Sequence, residues 1–532
     1  MLLSSRSVLR ALALLVVVLL ASGCGLGGDG ERASLPPDPS VVRTADGLVR
    51  GVATLDKRNF AGIPYAAPPV GALRWQPPQP VAPWQGVRDA TKAGPRCLQG
   101  ESGEVEFGKQ TDEDCLTLNV WTPAPENTLR PVMVWIHGGS FVNGNGAMYD
   151  ARWLVDRGDI VVVTLNYRLG ALGFLAHPAL GEPGSVGNYG LADQQAALRW
   201  VHENIAAFGG DPDKVTIAGE SAGGMSVCDH LVAPQSQGLF RAAIIQSGPC
   251  QAQVALPRAE KISSDFARDV GCGDPATAAA CLRALPAHQV DKPVWYGRIG
   301  EDTLSGPVYG STTLPEDPMV AFREGRAADV PVLIGANRDE FTLFAALQYL
   351  RGARQYAAGE YPDLLADTFG ADAPAVGARY PLDKYDGSAA LAYSAAVTDG
   401  VFACVAQRMA GQLASSRSVF GYQFDDPRPP TPEPMRTLPF PVGASHSLEL
   451  RYLFDVGGAP PLSPAQQQLS NQMIDYWAAF VRSGAPDADG APDWPAVAGS
   501  GPWMSLRPDG SRMVTGFGAE HRCDFWAGLS GR

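Results

Sequence analysis

The chain has 532 residues, too many for a minimal domain and enough for one large α/β enzyme or two domains. A hydrophobic content of 45% with 18% charged residues is that of a globular protein. The formal net charge of -13, with no basic run, argues against a nucleic-acid partner and reads as a soluble acidic surface.

At the N-terminus, Arg6 and Arg10 precede the apolar run 11–21, and Ser22-Gly23-Cys24 follows it. A positive start, a short apolar run and small residues at its end predict a secretory signal, too short to span a membrane. A cysteine directly after the small residues resembles a bacterial lipobox. In that reading 1–23 is removed and Cys24 becomes the lipidated first residue; Ala21 departs from the usual leucine. The alternative is an ordinary signal peptide cleaved nearby. Residues 24–40, rich in Gly, Pro and Asp, read as a flexible tether, and 41–528 as one domain without a second linker. Membrane contact is expected only through the lipid anchor. Beyond Cys24 there are eight cysteines, an even number that in an exported chain predicts disulfides without fixing their pairing.

Within 41–528, segments of strand and helix character alternate, which predicts a mostly parallel sheet covered by helices. Strand candidates are 131–136, 160–166, 215–218, 242–246, 330–335 and 419–424. Most are unbroken apolar runs, as expected where both sheet faces are buried. Leu191, Ala196, Leu198, Val201, Ile205 and Phe208 recur at helical spacing and end at Gly209-Gly210-Asp211-Pro212. A late helix is predicted over 471–481, its Met473, Tyr476, Trp477 and Phe480 facing the core. The less regular region 340–438 reads as helical insertions walling a site.

Between the apolar run 214–218 and a helical start lies Gly219-Glu220-Ser221-Ala222-Gly223. A G-x-S-x-G between strand and helix is a nucleophile elbow, whose glycines allow a sharp turn that projects the serine hydroxyl. A serine hydroxyl needs a base to take its proton, so a histidine, an acid and an oxyanion hole are required elsewhere. In this fold the chain order is serine, acid, histidine. The strand 330–335 runs into Ala336-Asn337-Arg338-Asp339-Glu340, so the acid is Asp339 or Glu340. Of seven histidines only His446 and His521 follow. His446 lies in a loop and is the expected base; His521, near the C-terminus beside Cys523, is expected at the surface. His137-Gly138-Gly139-Ser140, after another strand, offers backbone donors, with Ala222 N–H as the remaining one. His137 precedes the serine and is expected to be structural.

With these residues in place, the chain resembles the type-B carboxylesterases, a family that also contains cholinesterases, from 41 to 528. The likeness rests on Phe60-Ala61-Gly62-Ile63-Pro64-Tyr65-Ala66, Pro68-Pro69-Val70-Gly71, Leu73-Arg74-Trp75, Glu113-Asp114-Cys115-Leu116-Thr117-Leu118-Asn119-Val120 and the run from Phe208 through Gly223. It implies an α/β-hydrolase fold, a large mostly parallel central sheet flanked by helices with helical insertions around the active site. It further implies a triad of Ser221, Glu340 and His446, and oxyanion donors at Gly139, Ser140 and Ala222 with Gly138 adjacent. Ser140 departs from the usual glycine or alanine, and Phe341 replaces the glycine that commonly follows the acid. The family's loops imply the bridges Cys97–Cys115, Cys272–Cys281 and Cys404–Cys523; Cys228–Cys250 is a further hypothesis from their predicted neighbourhood. An Arg74–Glu113 ion pair is implied as structural.

The implied function is hydrolysis of short or medium acyl, or aryl, carboxylic esters through an acyl-enzyme, with no metal or organic cofactor and a small-molecule ester as partner. A cholinesterase is not expected, because loop 98–114 holds only Phe107 among aromatic residues. The alternatives are a lipase or polymer esterase for long or bulky esters and a non-catalytic binding relative, against which stands retention of Ser221, Glu340 and His446.

Overall fold

Runs of Val, Ile and Ala bury both faces of a strand, and such runs form the middle of a mixed sheet. The computed structural model describes residues 38–99, 111–126 and 128–530; the leader, Cys24 and Phe107 lie outside the described residues. Numbering only the central sheet, its strands are β1 (Val52–Ala53), β2 (Lys57–Pro64), β3 (Thr117–Pro123), β4 (Arg130–Ile136), β5 (Val161–Leu165) and β6 (Gly210–Glu220). They continue with β7 (Ala242–Gln246), β8 (Val332–Asn337), β9 (Val419–Phe424), β10 (Trp503–Leu506) and β11 (Arg512–Val514). Their spatial order is β11-β10-β9-β8-β7-β6-β4-β5-β3-β2-β1. From β10 to β5 every neighbour is parallel, whereas β3, β2, β1 and β11 run antiparallel to theirs. This is the large sheet of an α/β-hydrolase fold, flanked by helices.

All residues of β5, β7, β8 and β9 are buried, which explains why these strands stood out as apolar runs. The antiparallel edge strands were not anticipated; they are short or carry charged residues such as Lys57, Arg58 and Arg512. Three differences in extent bear on the site. The predicted strand 215–218 lies within β6, which starts at Gly210, inside the predicted helix stop, and runs on to Glu220. The helix before it, α1 (Tyr189–Asn204), closes in a 3-10 turn, Ile205–Phe208, with Gly209 at φ 91°. And β8 runs on to Asn337, so the acidic residues follow its last pairing directly.

α2 (Ala222–Val232) follows β6 through Ser221 alone. The late helix, α3 (Pro464–Ser483), starts earlier than its apolar face suggested, because Ser463 and Gln466 form a reciprocal cap. The region 340–438 is largely helical, as expected, and contains a π-helical turn, Thr398–Ala403, between two buried helical segments.

Four disulfides join Cys97 to Cys115, Cys228 to Cys250, Cys272 to Cys281 and Cys404 to Cys523. Arg74 forms a two-pronged pair with Glu113, both contacts at 2.7 Å, and its other guanidinium nitrogen donates to Leu285 O. Loop-closure entropy grows with loop length, and the Cys404–Cys523 bridge spans 119 residues against 9 for Cys272–Cys281. Replacing both cysteines of the long loop by serine is therefore expected to lower unfolding free energy by about 2 kcal/mol more than the same change in the short loop, measured by urea denaturation.

Candidate active site

Ser221 stands at the junction of β6 and α2 with φ 57° and ψ -121°, a backbone conformation that costs a non-glycine residue on the order of 1–3 kcal/mol. The elbow's glycines act differently from expectation. Neither Gly219 nor Gly223 adopts a left-handed φ; the serine itself does. What the glycines supply is space. A Cβ on Gly219 would lie 2.4 Å from the Gly223 carbonyl, and one on Gly223 would lie 2.0 Å from Ile136 O at the end of β4. Closeness of β6, α2 and β4 therefore holds the turn, and Ser221 N donates to Gln246 O at the end of β7.

The loop after β4 approaches this turn from the side. A Cβ on Gly138 would come within 3.1 Å of Ser221 Cβ and 2.8 Å of Glu220 O. Gly139, Ser140 and Phe141 follow at φ 108°, 54° and 60°, a left-handed run stabilised by Val142 N and Asn143 N donating to Gly139 O. Among the described residues, nothing accepts from the N–H groups of Gly139, Ser140 or Ala222. His137 is structural, as expected: it is buried, stacked on Tyr167 at 4.4 Å, and its Nδ1 lies 2.8 Å from Gly138 O. Burial pushes its pKa down to about 4.

On the far side, Glu340 Oε2 lies 2.6 Å from His446 Nδ1. The other carboxylate oxygen accepts from Asn337 N at 2.7 Å, and His446 N donates to Glu340 O. Asp339, the other candidate acid, instead accepts from Ala444 N at 2.9 Å and braces the loop before the histidine. His446 Nε2 makes no hydrogen bond among the described residues, though Glu220 Oε1 lies off its axis at 3.1 Å. The rings of Phe344 and Phe402 pack on the imidazole at 5.0 and 5.3 Å. Those same two rings line a pocket with Ser140, Ser221, Ala222 and Met225. Phe341 sits one layer behind, stacked on Phe344 at 5.0 Å.

Two carboxylates at this centre were not singled out from sequence. Glu220, beside the serine, accepts from Ser447 Oγ at 2.7 Å, and Glu449 accepts from Asn337 at 2.5 Å and Gln246 at 3.2 Å. Both are buried. A Glu inside the elbow pattern was the available signal. Burial raises Glu220, and burial with the neighbouring Glu220 and Glu340 pushes Glu449 up to about 8. For His446, burial opposes the charge, but Glu220, then Glu340 and Glu449, outweigh it and push it up to about 9. His521 is a correction: it is buried, with Nδ1 2.6 Å from Asp399 and Nε2 3.1 Å from Gln423. Its partners are on the π-helical turn and β9, away from Ser221 in the hydrogen-bond network.

The model of the carboxylesterase family matches residues 38–526. Acylcarnitine hydrolase of Mus musculus is 35% identical over 476 residues, covering 82% of this chain and 81% of the relative. Cocaine esterase of Homo sapiens is 34% identical over 555 residues, with coverages of 96% and 95%. Para-nitrobenzyl esterase of Bacillus subtilis (strain 168) is 35% identical over 490 residues, with coverages of 86% and 92%.

Because a Cβ at residue 223 meets backbone that cannot swing aside, Gly223→Ala is expected to destabilise the fold by about 3 kcal/mol or prevent soluble expression. Thermal melts beside Gly224→Ala, where the nearest atom is 2.8 Å away, check the size of the effect.

Proposed function

The chain belongs to the carboxylesterase family and is a carboxylic-ester hydrolase, and we propose that it works through an acyl-enzyme on Ser221. In this reading Ser221 Oγ attacks the ester carbonyl while His446 Nε2 takes its proton. Glu340 keeps the Nδ1 proton in place and stabilises the imidazolium. The N–H groups of Gly139, Ser140 and Ala222 bind the tetrahedral oxyanion. Collapse expels the alcohol, protonated by His446, and water then enters by the same route to release the acid. The observation that carries the reading is the 2.6 Å contact of His446 Nδ1 with Glu340, which leaves Nε2 available beside the pocket that Ser221 lines.

Short or medium acyl, or aryl, esters fit an apolar pocket walled by Met225, Phe344 and Phe402. The name of the bacterial relative, para-nitrobenzyl esterase, is in keeping with an aromatic ester. Four disulfides indicate an exported protein. Cleavage of a leader over 1–23, lipidation of Cys24 and a tether over 24–40 remain part of the proposal; a palmitate label lost in Cys24→Ser would support the anchor.

Ser221→Ala is expected to abolish turnover of a nitrophenyl ester while leaving the thermal transition in place; wild-type rates in this variant would overturn the assignment. The pH profile tests the base. His446 must be neutral to accept a proton, so kcat/KM for a neutral ester is expected to rise with pH toward about 9. Glu220 is the leading charge that raises it. Glu220→Gln removes that charge, and its limb is expected to shift to lower pH by about 1–3 units. An unmoved limb would refute the coupling.

A further inference from the structure

The residue after Glu340 is Phe341, and its buried ring meets three different elements. It stacks on Phe344 at 5.0 Å and meets the Tyr393 ring edge-on at 5.5 Å. It also lies against the turn of the hairpin Gly297–Ile299 and Asp302–Leu304, where a Cβ on Gly300 would sit 2.4 Å from Phe341 Cζ. Glycine at 300 leaves the space that this phenyl ring occupies. Phe341 N donates to Thr398 Oγ1 at 3.0 Å, which pins the backbone that carries the ring. Two of the elements it touches are pocket walls: Phe344, and Ile299 beside Gly300, line the pocket with Ser221. Phe344 also packs on His446 at 5.0 Å and faces Phe402 at 6.3 Å, so it has a ring behind it and rings beside it. The pocket encloses about 310 Å³, including its open mouth, which is the lower end of the range for ligand sites. Walls packed in this way cannot yield to a longer chain without displacing a neighbour.

We propose that Phe341 sets the depth of this pocket, as a wedge behind Phe344 and the hairpin, and that it restricts the enzyme to esters whose chain lying against Phe344 is short. The proposal rests on the reading of Ser221 as the nucleophile. Phe341 does not line the pocket; it acts through Phe344 and Ile299 and is a positioning residue that determines specificity. Without its side chain, Phe344 gains room to tilt away from Ser221, and the pocket admits further methylene groups. A single methylene accepted or refused by an apolar pocket changes kcat/KM by about 10- to 200-fold.

The experiment compares kcat/KM for nitrophenyl butyrate, hexanoate and octanoate, and for butyl, hexyl and octyl acetate, in the wild type, Phe341→Ala and Phe341→Leu. In the wild type, kcat/KM is expected to fall from the shortest to the longest member of at least one series. In that series Phe341→Ala is expected to raise the ratio of longest to shortest by about tenfold or more. Phe341→Leu removes less volume, so it is expected to fold even where the alanine variant does not, and to raise the ratio by a smaller factor. Loss of folded enzyme lowers every member equally and leaves the ratio unmoved, so the ratio reads the pocket and not stability. A wild type with no decline in either series, or a ratio unchanged in the folded variants, overturns the proposal. Failure of the underlying reading is distinguishable, because it would show as wild-type turnover of nitrophenyl butyrate by Ser221→Ala.

Discussion

Burying one imidazole among three carboxylates is the constraint from which the centre of this molecule is built. Glu220, Glu340, Glu449 and His446 are all shielded from water, and each charge lost from solvent must be offset by an opposite charge or by donors. Ser447 serves Glu220 from the loop, and the donors to the other two carboxylates come from strand ends. Glu220 ends β6, Gln246 ends β7 and Asn337 ends β8, and the parallel pairing sets Glu220 opposite Gln246 and Gln246 opposite Gly335. From these positions Gln246 and Asn337 reach Glu449, and Asn337 N reaches Glu340. Side chains alternate along a strand, so a slip of one residue would turn these groups to the wrong face. The sheet register and the protonation of this buried cluster are therefore one problem.

The same constraint explains what could be read from the sequence. Buried parallel strands are apolar throughout, and β5, β7, β8 and β9 were visible as such runs. The elbow was visible because glycine at 219 and 223 answers a steric demand that no other residue meets. Its mechanism was not, since the left-handed conformation belongs to Ser221 and no sequence rule places strain on a serine. Glu449 could not be assigned a place near Gln246, 203 residues away in the chain, because its partners are neutral amides rather than a charge-complementary pattern. His521 misled for a related reason. A C-terminal histidine beside a cysteine looks exposed, but the Cys404–Cys523 bridge draws the segment back to the π-helical turn and buries it.

That π-helical turn ties the periphery to the chemistry. An α-helix with its regular spacing puts residues three and four apart on one face, and an inserted π turn rotates that face. Here the turn presents Phe402 to the imidazole of His446 and Asp399 to that of His521. Asp399 is buried and takes three partners, His521, Arg522 and Tyr380, at 2.6, 3.1 and 2.7 Å. Arg522 also lies over the Tyr380 ring, whose hydroxyl accepts from Trp526. Thr398, the first residue of the turn, accepts from Phe341 N, directly after the catalytic-acid candidate Glu340. These contacts hold the start of the turn, three residues before Phe402. The aromatic contact on His446 is thus tied, through Asp399, to His521, Arg522 and Tyr380, residues with no place in the pocket that Ser221 lines.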